Sequence, residues 1–271
     1  TVPDFVQSQN GILGLDHIYL HIYTDEGFTG ISGPISKSVA FIISQHLKPI
    51  LIGKDAFATE LIWDQMYRRL IHGRQGEPIW AMSHVDCALW DLKGKVLNRP
   101  VYSLLGGPNV SEIPAYASML GYNVTNMKLV KQRALQYKKK GFKAQKWFFR
   151  YGPKKGKEGL LKNIELVKTL RENLGDNYDL MFDCWQSMDV TYVLELAEAI
   201  KMYNPKWLEE CVMPDRVDSY VKIKNKINIP LAGAEHHYTR WGMKQFIEKE
   251  ALDIIQADPL WCGGISEMIK I

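Results

Sequence analysis

The sequence predicts an α/β architecture: a (β/α) barrel domain preceded by a smaller α+β module. Three observations carry this. A β-hairpin pattern near the amino-terminal end is followed by helical stretches alone. Two glycines and a proline then close that region at Leu104-Leu105-Gly106-Gly107-Pro108. Beyond residue 112 the pattern runs strand, loop, helix, repeatedly, which argues for a parallel sheet wrapped by helices.

Residues 16–23 (DHIYLHIY) and 28–31 (FTGI) flank Thr24-Asp25-Glu26-Gly27, a turn between two strands. Helical stretches are expected over 37–52, 57–72 and 79–97. In the last, Trp80, His84, Cys87, Ala88 and Asp91 recur at steps of three and four residues. The α+β module is therefore placed at 1–110 and the barrel domain at 111–271. Strands are expected at 113–118, 143–149, 179–183, 206–210, 229–235 and 253–257. Helices are expected at 125–140, 158–174, 189–203, 215–226 and 239–250, with another starting at 264. A complete barrel has eight strands, so about six of them are expected here, with the rest beyond Ile271. An open barrel leaves two strand edges unpaired, a poor solution for a soluble protein.

Composition narrows the class. With 34 basic against 30 acidic residues and 46% hydrophobic content, the chain has material for a core and little net charge. Intrinsic disorder is excluded, and no apolar run reaches the length of a membrane span. Lys138-Lys139-Lys140 ends a helical stretch, where cations complement the carbonyl end of the dipole. Lys154, Lys155 and Lys157 lie in a Gly/Pro loop. Both read as solvated surface, so neither nucleic acid nor membrane is expected as a partner. The first residues show no secretion signal. Cys87, Cys184, Cys211 and Cys262 are far apart and form no C-x-x-C pair, which fits a reduced, cytoplasmic protein.

Asp183, Glu209 and Glu235 each close an apolar strand, and each lies 26 residues from the next, one βα unit. Consecutive strand ends of a parallel barrel lie side by side on the catalytic face, ~4.8 Å apart. Three carboxylates brought together repel one another unless a cation neutralises them. All-oxygen ligation suits Mg²⁺, with Mn²⁺ second. Three ordinary acids capping helices or facing solvent are the plain alternative; the repeated spacing favours the metal. Alternation turns Glu210 away from Glu209, which leaves it out of the ligand set.

The segments Val85-Asp86-Cys87-Ala88-Leu89-Trp90-Asp91-Leu92-Lys93-Gly94-Lys95, Trp207-Leu208-Glu209-Glu210 and Ala234-Glu235-His236, with Asp258-Pro259 and Gly263-Gly264, resemble the mandelate racemase and muconate-lactonizing branch of the enolase superfamily. The segments around Asp183-Cys184-Trp185, Glu235-His236-His237 and Trp261-Cys262-Gly263-Gly264 are most similar to its acid-sugar dehydratases, the group of L-rhamnonate dehydratase. The resemblance implies a capping domain on a modified (β/α)7β TIM-like barrel. It also implies one Mg²⁺ held by Asp183, Glu209 and Glu235, and removal of the α-proton of an acid sugar to give a 2-keto-3-deoxy acid. Ala234 stands where relatives carry glycine, and Asp183-Cys184-Trp185 where many carry Asp-x-Asn.

Many relatives carry Lys-x-Lys at the end of the second barrel strand. Here the strand reads Lys146-Trp147-Phe148, and Phe148 cannot exchange a proton. Alternation puts Lys146 and Phe148 on one inward face. Lys146 then contacts a substrate carboxylate or balances the acid cluster; direct proton abstraction is the lesser reading. The resemblance offers a His–Asp dyad instead. Asp258 matches its Asp, and the His is expected beyond Ile271. His236, Trp185 and Arg74 are the candidate substrate contacts, the last from His72-Gly73-Arg74. His17 and His21 share a strand face and read as packing. The expected protein is a homo-oligomer acting on a small acid sugar. A racemase or epimerase of a 2-hydroxy acid is the rival enzyme, disfavoured by Phe148, and a non-catalytic barrel of the same fold is the rival outside enzymes.

Overall fold

The structure is a computed structural model that describes residues 18–271. His17 and the start of the first expected strand lie outside them. The described residues fall into two compact units. One holds Ile113–Ala234 and Phe246–Ile255; the other holds the described residues up to Glu112 with Glu235–Gln245 and Gln256–Ile271.

The first unit is the barrel-like sheet. Strands β3 (Ala117–Ser118), β4 (Ala144–Phe148), β5 (Asp179–Asp183), β6 (Trp207–Glu209), β7 (Leu231–Gly233) and β8 (Ile254–Ile255) pair in sequence order. Every pairing is parallel. Among the described residues β3 and β8 have one strand neighbour each, so the sheet is TIM-barrel-like without being closed. Helices α6 (Met127–Lys139), α7 (Gly156–Leu174), α8 (Val190–Ile200) and α9 (Val217–Lys224) form the crossovers, and α10 (Thr239–Glu248) lies between β7 and β8.

Each element follows from its sequence. Val193, Leu196, Ala197 and Ile200 recur on one face of α8 and are buried, the spacing of an amphipathic helix. Asp189 starts that helix by accepting from Tyr192 N at 2.8 Å, a cap worth ~1 kcal/mol. Asn126 does the same for α6. Between the strands Phe149 stacks on Phe182 at 5.2 Å, and Trp147 is fully buried. Arg171 is buried too, but its guanidinium donates to the carbonyls of Tyr203, Gly175, Tyr178 and Asn204. The outer strands are much shorter than their apolar runs: 113–118 retains pairing only at Ala117–Ser118, and 253–257 only at Ile254–Ile255. Pro114 has no N–H to give a ladder.

The second unit opens on the hairpin β1 (Ile18–Tyr23) and β2 (Thr29–Ile35), antiparallel with a register shift between Ile18 and Leu20. The expected helix over 37–52 is three pieces: α1 (Lys37–Ile42), a π turn at Ile43–Leu47, and α2 (Lys48–Leu51) with Pro49 in its first turn. Then come α3 (Thr59–Arg69), the long α4 (Glu77–Val96) and the short α5 (Val101–Leu104) after Pro100. Helix α4 carries Ile79, Met82, Val85 and Leu89 into a core shared with Ile35, Val39, Leu47, Ile62 and Met66. Gly30 is required where β2 meets that helix, because a Cβ there would lie 2.1 Å from Ala88 O. No helix among the described residues is long and apolar enough to cross a membrane.

The far end of the chain docks on α4. Asp86 accepts from Ser266 N at 2.9 Å and from Ser266 Oγ at 2.7 Å, at the start of α11 (Ile265–Lys270). Trp63 Nε1 donates to Gly263 O at 2.7 Å. Burial pushes the Asp86 carboxyl from 3.8 up to about 6, although both Ser266 bonds pull it down. The folded state therefore holds this proton more tightly than the unfolded chain does. The contribution is fully present below the unfolded value and is lost as pH rises through about 6. A shift of two units corresponds to ~3 kcal/mol. His84 has the opposite slope, since burial lowers it to about 4. The comparison must therefore change residue 86 alone. The melting temperature of the parent minus that of Asp86→Asn should fall between pH 4 and pH 7, and a flat difference would exclude this account.

Candidate metal centre and active site

The acids sit at the ends of neighbouring strands because the register puts them there. Phe148 pairs with Asp183, Asp183 with Glu209, and Glu209 with Ala232. These residues make one row across the carboxyl ends of four strands. Lys146 lies one layer deeper on the face of Phe148, whose ring is 5.6 Å from its Nζ. Its ammonium reaches up to Asp183 Oδ2 at 3.4 Å and donates to Glu209 Oε1. Trp147 points the other way and donates to Gln145 Oε1, so the alternation expected from the sequence holds.

Asp183 and Glu209 are both buried, Glu209 completely. Burial first and the neighbouring Glu209 second push the Asp183 carboxyl well above its ordinary value, against the pull of Lys146. Burial by itself would lower Lys146, but Asp183 and Glu209 together carry it above the usual lysine range. Lys146 is therefore an ammonium in this arrangement. Two carboxylates share that one cation. Their remaining acceptor capacity is partly used, since Trp185 N donates to Asp183 Oδ1 at 2.8 Å and Trp207 Nε1 to Glu209 Oε2 at 3.0 Å. A carboxylate oxygen has two lone pairs, so room for a cation remains on each.

The backbone around the row is strained. Among the described residues eight non-glycine positions have positive φ, and four lie within three residues of these strand ends: Trp185 (49°), Gln186 (55°), Glu210 (44°) and Ala234 (76°). Each costs roughly 1–3 kcal/mol and such residues gather at functional sites. The turn at Glu210 ends strand alternation, so the alternation argument does not place its side chain. Glu210 is buried and accepts from Gln186 Nε2 at 2.8 Å. Ala234 holds the left-handed conformation in the position where a glycine would be free to take it. Behind the row, the buried Cys184 and Cys211 thiols meet at 3.8 Å, a pairing that a separation of 27 positions hides from the sequence.

The other expected residues are placed as follows. Glu235 and His236 follow Ala234 and are half-buried, and the His236 ring lies 5.5 Å from that of Trp261. Trp185 is 37% exposed and meets Phe148 edge-on at 5.8 Å. Asp258 stands three residues beyond β8. Its Oδ1 accepts from Leu260 N at 2.7 Å and its carbonyl from Trp261 and Cys262. Arg74 lays its guanidinium over Tyr67 at 4.1 Å. His21 lies 6.0 Å from Tyr23, ring on ring, on the exposed face of β1 and not packed in a core.

A parallel, helix-wrapped sheet with paired acids at its strand ends, joined to an α+β unit, defines an α/β-barrel protein with a carboxylate centre. Comparison with known families makes the class specific. Residues 10–106 match the mandelate racemase / muconate lactonizing enzyme N-terminal domain, and residues 129–271 match the enolase C-terminal domain-like family. The chain belongs to this family, within the enolase superfamily. It is 37% identical over 275 residues to an L-rhamnonate dehydratase of Saccharopolyspora erythraea, an alignment spanning 99% of this chain and 67% of that one. A crystal structure of rhamnonate dehydratase from Gibberella zeae complexed with Mg superposes with a TM-score of 0.83 at 35% identity, covering 93% of this chain and 60% of that one. The 3,6-anhydro-D-galactonate cycloisomerase of Zobellia galactanivorans gives 0.83 at 33% identity, with 93% and 70% covered. The chain thus spans 60% to 70% of the length of these relatives.

Proposed function

We propose that this chain carries out Mg²⁺-dependent dehydration of an acid sugar, an aldonate or aldarate, as a hydro-lyase. The observation that carries the reading is the row Phe148, Asp183, Glu209, with Lys146 beneath it. Two buried carboxylates against one ammonium leave an uncompensated negative charge, and the donors are all oxygen. That set fits a hard divalent cation, and a relative of known structure is a complex with Mg. Asp183, Glu209 and Glu235 would hold the ion, and when bound it supplies positive charge against the negative charge that develops on a substrate carboxylate.

The chemistry removes the hydrogen on the carbon next to the carboxylate and the hydroxyl on the following carbon. Water leaves, and the resulting enol becomes the 2-keto-3-deoxy acid. Lys146, held as an ammonium by two acids, is poorly suited to take the proton. Its part is to keep the carboxylates together and to meet substrate charge. Asp258 is the carboxylate that would orient a histidine base. Phe148 fills the place of a second base, and this favours elimination over racemisation. Trp185, His236 and Arg74 are the proposed substrate contacts. In the same reading residues 1–110 are the capping domain and 111–271 the barrel domain, and the protein is a cytoplasmic homo-oligomer. The exposed Tyr19, Tyr23 and Ile31 of the hairpin support an interface between copies.

The test is a panel of aldonic and aldaric acids, L-rhamnonate included, assayed with Mg²⁺ and with chelator. At least one should give a 2-keto-3-deoxy acid with Mg²⁺ and none with chelator. Exchange or inversion at the α-carbon without any keto product would replace dehydration by racemisation.

A further inference from the structure

Glu209 is completely buried, and each of its carboxylate oxygens has a donor of its own. Lys146 Nζ donates to Oε1, and Trp207 Nε1 donates to Oε2 at 3.0 Å. Strand register brings both donors beneath the acid. Lys146 pairs with Met181 and Met181 with Trp207, one row below Phe148, Asp183 and Glu209. Trp207 precedes Glu209 by two residues, so the two side chains project from one face of β6. Met181, between the donors, is buried and has no polar hydrogen to offer. The lower row therefore presents an ammonium at one end and an indole N–H at the other, and both turn to the same carboxylate. Tyr116 backs the pair, its ring edge-on to Trp207 at 6.1 Å and 5.7 Å from Lys146 Nζ. All of these residues belong to one compact unit.

The two donors differ in what they can fix. An ammonium is a compact charge on a flexible stem with three rotatable N–H groups. It balances charge and leaves the plane of its partner open. The last torsion of a glutamate side chain is broad, so a carboxylate held by an ammonium alone can turn about that contact. An indole carries one N–H, a donor only, set in the plane of a rigid ring. We propose that Trp207 is a positioning residue of the metal centre: its indole N–H fixes the plane of the Glu209 carboxylate, so that the remaining lone pairs meet Mg²⁺ in one orientation. The inference rests on the Mg²⁺ reading of this centre and deepens it. Hydrogen-bond partners that orient metal-ligating carboxylates are typically worth 10- to 100-fold in metal affinity. Trp207 adds no charge, so its whole contribution is orientation.

Mg²⁺ binding to the full chain, stripped with chelator and titrated by calorimetry, tests it without any need for turnover. Trp207→Phe keeps an aromatic ring against Tyr116 and loses the donor. Incorporation of 3-benzothienylalanine at position 207 is the closer replacement, since it keeps the bicyclic ring and exchanges only the N–H for sulfur; it also serves should the phenylalanine variant fold poorly. In both proteins the Kd for Mg²⁺ should rise about 10- to 100-fold. A merely structural indole predicts a lower melting temperature in chelator with the Mg²⁺ affinity of the parent, and that outcome overturns the proposal. Parent-like affinity in the benzothienyl protein beside weak binding in Trp207→Phe overturns it too, because the ring and not the N–H would then be responsible. In both of these cases the parent still binds Mg²⁺, and the metal reading stands. A parent that binds no Mg²⁺ overturns the metal reading and this inference with it.

Discussion

Replacing Lys146 by methionine should destabilise the metal-free protein by about 3–5 kcal/mol, the usual loss when one partner of a buried ion pair is removed. Lys146 and Asp183 are almost entirely buried, and Glu209 is completely so. Without the ammonium both carboxylates keep their desolvation and lose their cation, while methionine fills nearly the same volume. The loss therefore reports charge and not a cavity. Urea unfolding in chelator measures it, and Lys146→Arg should recover part. Mg²⁺ should restore more stability to Lys146→Met than it adds to the parent, because the ion would take over the missing positive charge. A loss below about 1 kcal/mol, the range of exposed pairs, would mean that Lys146 does not hold these acids together.

Saturating Mg²⁺ should raise the stability of the parent by mass action, by ~2.7 kcal/mol at a hundredfold excess over the dissociation constant. Asp183→Asn and Glu209→Gln should each abolish the shift, and Glu235→Gln should abolish or strongly weaken it. Before any metal is added, Asp183→Asn should be neutral or stabilising, because it removes a carboxylate that burial and Glu209 both disfavour as an anion. The two effects have opposite signs in one variant, which separates a ligand from an ordinary structural acid. Differential scanning calorimetry with and without Mg²⁺ reads both. If all three variants respond to Mg²⁺ like the parent, the centre lies elsewhere.

The rows of the sheet were readable because periodicity and spacing are local. Strands β4 to β7 appear where apolar runs of the right length end in Asp183, Glu209 or the Gly233-Ala234-Glu235 turn, and the crossovers are amphipathic at helical spacing. That Lys146 and Phe148 share a face follows from a period of two. The helix breaks were less readable. The π turn at 43–47 and the pairing loss in 113–118 depend on what packs alongside, and neither leaves a distinct signature in composition.

The sequence by itself determined the fold class, the family motifs and the strand-end positions of Asp183 and Glu209, since each of these is set within one βα unit; Glu235 lies two residues beyond β7. Only the tertiary structure decided which groups share a charge. The placement of Lys146 between Asp183 and Glu209, the meeting of Cys184 with Cys211, the grip of Asp86 on Ser266 and the stack of Trp80 on Trp261 join residues 27 to 181 positions apart. Such pairs are fixed by strand register and helix docking, through burial energies summed over the whole core, and no local pattern encodes them. The left-handed turns at Trp185, Glu210 and Ala234 belong with them: these side chains would choose another backbone conformation on their own, and the surrounding fold holds them against that preference.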